Sequence, residues 1–291
     1  MVICPMPCHK PKAWGSVCGM IDQDMMAQYA KFAERLADAA SVETLKRFRQ
    51  QADVYNKAGV CFDPVTDADR EAEQVQRQLI NAAYPDHGII GEEFGAENED
   101  ATYRWVLDPI DGTRAYVCGV ASWTTLISLE VDGVPSLGVI DQPFTEERWL
   151  AVGGQLTYTA RGKRQKVGVS GCTDIAKARL TTTDPRPAAY FSKAEAQAFD
   201  DLAAKVQLVR FSLDAYGYAL LAIGELDIVM ESGLQLHDYA ALGPIVEAAG
   251  GVITNWRGDP PGAEGRGEIL ASASEELHEA ALANISRSMA V

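Results

Sequence analysis

Basic residues are scarce in this chain: lysine and arginine number 26 against 41 aspartates and glutamates, a formal net charge of −15. A nucleic-acid-binding surface needs clustered Lys and Arg, so that class of partner is excluded. A phosphorylated small molecule is compatible with such acidity, provided a cation mediates the contact. Long apolar runs are also missing. None approaches the ~18 residues of a membrane-spanning helix, and no membrane partner is expected. There is no internal repeat and no low-complexity tract. An apolar content of 47% with 23% charged residues excludes wholesale disorder. No secretory leader precedes the six scattered cysteines, Cys4, Cys8, Cys18, Cys61, Cys118 and Cys172. That pattern reads as a reduced, cytoplasmic protein.

What is present is enough chain, 291 residues, for one large domain or two modest ones. Residues 1–22 read as a flexible extension, and Met20, Met25 or Met26 would each start a more ordinary chain. Cys4, Cys8, His9 and Cys18 lie close enough for a small metal cluster, but their spacing matches no familiar zinc pattern. From about Asp24, alanines and leucines recur at three and four residues and predict a helix. A second helix is expected after Thr66, running to about Ala83 and stopped by Tyr84-Pro85. Strands are predicted over 88–90, 105–107, 124–130, 136–140 and 149–152, with Asp132-Gly133 as a hairpin turn. Beyond about 155 the texture changes. Strands expected over 178–182, 206–211, 226–230, 251–255 and 269–272 alternate with helices over 192–204, 213–223, 238–249 and 274–289. An α/β (α+β) fold with an N-terminal half, 23–155, and a C-terminal half, 156–291, follows.

The informative stretch is Trp105-Val-Leu-Asp-Pro-Ile-Asp-Gly-Thr113. An apolar strand runs into Asp108, Pro109, Asp111, Gly112 and Thr113. Carboxylates at a strand's C-terminal end stand where ligands bind in layered α/β folds. Both, with the Ile110 carbonyl, would converge on a hard cation such as Mg²⁺. Gly112 and Thr113 would offer N–H groups and a hydroxyl to a phosphate. The plain alternative is an Asp-Pro/Asp-Gly turn closing a strand. Upstream, Ile89-Ile90-Gly91-Glu92-Glu93 is another apolar strand ending in carboxylates, or else a solvated pair of glutamates. Thr66 and Asp69 have capping-box spacing, which is compatible with Asp69 also facing a cation's water. Asp238 is an N-cap or a ligand. His237 beside it is a ligand, a base or a site-wall residue.

Together the four segments resemble the inositol-monophosphatase superfamily, in that family's order, over roughly residues 25–290. The central motif is highly specific. One departure stands out: His237 occupies the position before the late aspartate where inositol monophosphatases usually have Trp. With Gly112-Thr-Arg-Ala-Tyr116, Gly138-Val-Ile-Asp-Gln-Pro143, Glu147-Arg-Trp149 and Arg210-Phe-Ser-Leu-Asp-Ala-Tyr-Gly-Tyr218, this points to similarity with histidinol-phosphatases of the inositol-monophosphatase type.

The resemblance implies a layered αβαβα sandwich and a homodimer. It implies two to three Mg²⁺ ions per site. Glu92, Asp108 and the Ile110 carbonyl would hold the first, and Asp108, Asp111 and Asp238 the second. Glu92 and Asp69 would place a third. Asp69 and Thr113 would orient the nucleophilic water for in-line attack on a phosphate monoester. Asp214, Glu231 and His237 would meet the substrate, with Arg210 on the phosphate side or in contact with a partner chain. L-histidinol phosphate is the expected substrate. Inositol 1-phosphate, a sugar phosphate or a nucleotide phosphate are rivals, and a catalytically silent metal-binding relative is the alternative of another class.

Overall fold

The computed structural model describes residues 23–50, 54–56, 64–187, 189–262 and 265–290. The expected extension over 1–22, its cysteines and His9, and Cys61 lie outside the described residues. Helix α1 (Gln23–Arg47) buries Ala33, Leu36, Ala37 and Ala40, the stripe its spacing predicts. A short hairpin, β1 (Val54–Asn56) and β2 (Pro64–Thr66), leads into α2 (Asp67–Ala83), which ends at Tyr84 as expected. Then follow β3 (Gly88–Gly91), β4 (Gly95–Glu97), β5 (Tyr103–Asp111), the short α3 (Thr113–Val117), β6 (Thr124–Val131), β7 (Val134–Gln142), β8 (Glu147–Val152), β9 (Gln155–Ala160) and β10 (Lys163–Gln165). The C-terminal part runs β11 (Arg179–Thr182), α4 (Lys193–Ala203), β12 (Leu208–Phe211), α5 (Ala215–Ala222), β13 (Ile228–Glu231), α6 (Leu236–Tyr239), α7 (Leu242–Ala248), β14 (Val252–Thr254), β15 (Ile269–Ser272) and α8 (Glu275–Met289).

Two sheets organise the molecule. The first has eight strands in the order β10-β9-β8-β7-β6-β5-β3-β4. Only the β3–β5 pair in it is parallel. The second has five strands in the order β12-β11-β13-β15-β14. The first sheet continues through Gln165, past the change of texture at 155, because Gln155–Gln165 forms a polar hairpin on its edge. Every residue of β6 is buried, as expected for a strand covered on both faces. Ile127 and Leu129 pack with Leu36 of α1, while Leu126 packs with α5 and α7 through Tyr218, Leu242 and Ile245. Leu180, Ile228 and Leu270 of the second sheet pack against Phe199 of α4 and Leu277 of α8. The layers are therefore α1/α2, sheet, α5/α6/α7, sheet, α4/α8: the expected αβαβα sandwich. Among the described residues, no helix is long and apolar enough to cross a membrane.

The helix expected over 238–249 is two helices. Pro244 falls in the first turn of α7, where its missing N–H costs nothing, but its ring would clash with the carbonyl of Ala240 in one continuous helix. The break lets Ala240 and Ala241 lie on the first sheet. Ser128 Oγ donates to the Ala240 carbonyl at 3.2 Å. A Cβ on Gly138 would sit 2.3 Å from the Ala241 carbonyl oxygen. Backbone meets backbone there, so neither side has a rotamer to move. Gly138→Ala is expected to destabilise the fold by roughly 2–3 kcal/mol through overpacking, read as a lower urea midpoint at unchanged slope.

Candidate active site

The first sheet's acids converge through a defect in β5. Asp108 pairs with Leu126 and Asp111 with Thr124, so three steps on β5 oppose two on β6. In a regular strand, residues three apart face opposite sides. The extra residue of the bulge restores Asp111 to the face of Asp108. Asp108 Oδ1 accepts from the Ile110 N–H at 3.1 Å, and the Pro109 carbonyl accepts from Thr125 Oγ1 at 2.7 Å. The segment whose plain alternative is a turn closing the strand is thus the bulged end of the strand itself. Gly112 follows in left-handed conformation (φ 79°), and Thr113 opens α3 with its Oγ1 donating to the Ile110 carbonyl at 3.1 Å.

Other elements bring the remaining groups. Glu92 leaves the end of β3, its N–H bonded to the Leu107 carbonyl at 3.2 Å. Asp69 completes a capping box at the start of α2, its Oδ2 accepting from the Thr66 N–H at 2.9 Å and from Thr66 Oγ1 at 2.6 Å. Asp238 lies in the first turn of α6, accepting from the Gln235 N–H at 2.6 Å. One carboxylate oxygen from each of Asp108, Asp111 and Asp238 lies within 4.8 Å of the others. A cavity of about 250 Å³ opens between the sheets beside them, lined among others by Glu92, Asp108, Ile110, Asp111, Gly112, Thr113, Asp214, Glu231, His237 and Asp238.

Such crowding is electrostatically costly without a counter-ion. Burial, then Glu92, Asp111 and Asp238, pushes the Asp108 carboxyl well above its ordinary value. Burial, then Asp214 and Asp238, does the same for Asp111. Asp69 is raised to about 6, chiefly by burial, with Glu92 adding to it. Its Oδ1 is buried and has no hydrogen-bond partner. An all-oxygen donor set of this kind fits a hard cation such as Mg²⁺.

The opposite wall belongs to the second half. Asp214 precedes α5 in a backbone conformation (φ 50°, ψ −143°) that non-glycine residues seldom adopt. It presses on Gly112, where a Cβ would lie 3.0 Å from its Oδ2. The next N–H, of Ala215, donates to Asp111 Oδ2 at 2.7 Å and locks the two walls together. Glu231 ends β13, accepting from the Thr183 N–H at 2.7 Å and from Thr183 Oγ1 at 2.9 Å. Burial raises it to about 8, with Asp214 contributing. Asp214 itself is raised to about 6, mainly by burial, against the lowering pull of Arg114.

Two sequence-derived candidates do not line the cavity. Asp69 is near enough to Glu92 to feel its charge but is not in the lining. Arg210 is exposed on edge strand β12, outside the cavity. A phosphate-side role for Arg210 within one chain does not match this placement. The sequence reading passed over Arg114, Thr183, Tyr190, Tyr218 and Ser232, all in the cavity lining. Arg114 follows Thr113 directly and lies 4.9 Å over the Tyr190 ring. Adjacency to Thr113 and Glu231 would have signalled Arg114 and Ser232. Nothing local marks Thr183 or Tyr190, which arrive from β11 and the loop after it.

Comparison with known proteins agrees with this geometry. Residues 25–290 match the model of the inositol monophosphatase family. The chain is 40% identical over 233 residues to the bifunctional phosphatase IMPL2, chloroplastic, of Arabidopsis thaliana, covering 79% of this chain and 65% of that protein. It is 35% identical over 225 residues to the histidinol-phosphatase of Mycobacterium tuberculosis, covering 77% of this chain and 85% of the relative. A solved structure of an inositol monophosphatase from Zymomonas mobilis superposes with a TM-score of 0.78 at 38% identity, covering 89% of this chain and 98% of that one. The bulged acid cluster, the sandwich that frames it and these matches together place the chain in the inositol monophosphatase family, as a metal-dependent phosphomonoesterase.

Proposed function

We propose that this protein hydrolyses L-histidinol phosphate to L-histidinol and inorganic phosphate. The carrying observation is the far wall of the cavity. Asp214 and Glu231 add two carboxylates beyond those a cation cluster needs. A substrate whose alcohol portion bears an ammonium and an imidazole gives those carboxylates charged partners, whereas a neutral polyol offers only hydroxyl donors. The histidinol-phosphatase of Mycobacterium tuberculosis, at 35% identity, supports the same reading.

Glu92, Asp108, the Ile110 carbonyl, Asp111 and Asp238 would hold Mg²⁺, with Asp69 contributing through water. Bound there, Mg²⁺ screens the phosphate, acidifies water and stabilises the leaving oxygen. The chain's own groups do the positioning. Thr113 Oγ1 spends its proton on the Ile110 carbonyl, so its lone pairs are left to accept from a water O–H. Asp69 is pinned by Thr66 through one oxygen and presents the other. The two orient water in line with the phosphorus. Arg114, the single arginine or lysine among the described lining residues, faces the phosphate at the rim. Asp214, Glu231 and His237 contact the histidinol portion.

A second reading keeps the chemistry and changes the alcohol. The 38% identity to an inositol monophosphatase favours inositol 1-phosphate. Phosphate release with Mg²⁺ from L-histidinol phosphate, inositol 1-phosphate, fructose 1,6-bisphosphate and adenosine 3′,5′-bisphosphate separates the two. The expected result is a preference for histidinol phosphate of about two orders of magnitude in kcat/KM. Equal or better turnover of inositol 1-phosphate would overturn the substrate assignment and leave the metal chemistry standing.

A further inference from the structure

Glu73 has no part in the chemistry above, yet it is fully buried and charged groups close around it. It lies on α2 four residues after Asp69 and four before Arg77, so the three share one face of the helix. Its Oε1 accepts from Arg77 Nε at 2.7 Å. Its Oε2 accepts from the Glu93 N–H at 2.7 Å, and Oε1 also takes the Phe94 N–H at 3.2 Å. Glu92, Glu93 and Phe94 form the turn between β3 and β4, where Gly91 pairs with Gly95. Arg77 completes the grip, donating to the Gly95 carbonyl and pairing with Glu97 at 3.0 Å. The strand's last residue is cut to fit. A Cβ on Gly91 would lie 2.0 Å from Glu73 Oε1.

Glu92 is therefore fixed from both sides. Its own N–H is tied to Leu107, the neighbour of Asp108, and the two N–H groups that follow it are tied to Glu73. We infer that Glu73 is a positioning residue that sets Glu92 against Asp108 and thereby sets the affinity of the site for Mg²⁺. This inference rests on the assignment of Glu92 as a metal ligand. A carboxylate is required because only it accepts on both oxygens. In a glutamine, the amide nitrogen must face the Glu93 N–H on one side, or the Phe94 and Arg77 donors on the other. Groups that orient a ligand from behind typically change metal affinity or activity by about 10–100-fold when removed.

The test is Glu73→Gln, with Mg²⁺ binding followed by titration calorimetry and by the Mg²⁺-dependent rise in Tm. Asp227→Asn serves as the comparison, since it breaks an arginine pair with a carboxylate that is likewise buried, at the opposite end of the second sheet. The expected result for Glu73→Gln is Mg²⁺ affinity weaker by about tenfold or more, with kcat at saturating Mg²⁺ within a few-fold of the parent. Asp227→Asn should lower Tm and leave Mg²⁺ affinity unchanged. Glu73→Gln with lowered Tm but parental Mg²⁺ affinity overturns the inference. If that variant does not fold, Glu73→Asp, which keeps the charge but draws it back from the turn, carries the same expectation. Glu92→Gln separates the two claims. If it leaves Mg²⁺ affinity intact, the ligand assignment falls. If it weakens affinity while the Glu73 variants do not, only the positioning role falls.

Discussion

Asp111→Asn is expected to lower phosphate release by roughly 10³-fold, the scale seen when one preorganised charge-stabilising group is removed. The substitution is almost isosteric. The asparagine amide oxygen still accepts from the Ala215 N–H, so the lock between the two walls stays closed. What disappears is one negative charge among Asp108, Asp214 and Asp238. Without Mg²⁺ the variant should therefore be more stable than the parent, because a carboxylate held well above its ordinary value by burial, and then by Asp214 and Asp238, is removed. Inactivity together with a higher metal-free Tm would separate a lost catalytic charge from a damaged fold. Unchanged turnover would sink the mechanism.

The second expectation concerns Mg²⁺ and pH together. In the metal-free protein Asp69 is raised to about 6 and Glu231 to about 8, and Asp108 and Asp111 are raised well above the ordinary carboxylate range by burial and then by neighbouring carboxylates. The folded state then holds more protons than the unfolded chain between about pH 4 and 8. The stability contributed by these groups is present below their unfolded pKa and is lost as pH rises through the folded values. His278, buried and lowered to about 4, works the other way between about 4 and 6.5, since it must gain a proton on unfolding. Its contribution is the same with and without Mg²⁺. The difference between the two melts therefore isolates the acid cluster. Saturating Mg²⁺ should raise Tm by on the order of 5–10 °C at pH 8, and by little at pH 5 where protons occupy the same oxygens. A shift independent of pH would mean that Mg²⁺ binds elsewhere.

The sequence was most legible where one segment carries both pattern and chemistry. Thr66 and Asp69 announce a capping box, and Tyr84-Pro85 announces the end of α2. Asp108 and Asp111 are readable because an apolar strand runs into them, whereas Asp238 reads as an N-cap or a ligand and joins them only through the family resemblance. The bulge was not readable, since Asp-Pro-Ile-Asp-Gly carries every mark of a turn. The β9–β10 hairpin is polar and exposed at the sheet edge, so apolar periodicity passed it by. Pro244 did mark the break between α6 and α7, but the alanines and leucines around it outweighed the signal. The far wall was the least legible part. Thr183 and Tyr190 reach the cavity only because β11 ends there, which is a property of topology. Glu73 is the extreme case: with Arg77 four residues on, it reads as an ordinary solvent-facing helix pair, and only tertiary packing reveals what it holds.

If the Ile110 carbonyl at the defect in β5 serves as the proposed ligand, part of this centre is invisible to side-chain genetics. Any substitution at Ile110 leaves its carbonyl in place. A complete alanine scan would test the five proposed acids and pass over that carbonyl. Shortening the segment to Asp-Pro-Asp is the informative edit. Both carboxylates would still share a face, as in any regular strand, but the residue that fell out of the ladder would be gone, and its oxygen with it. Loss of Mg²⁺ affinity in that deletion, with both aspartates retained, would show that chain length at this point is itself part of the ligand set.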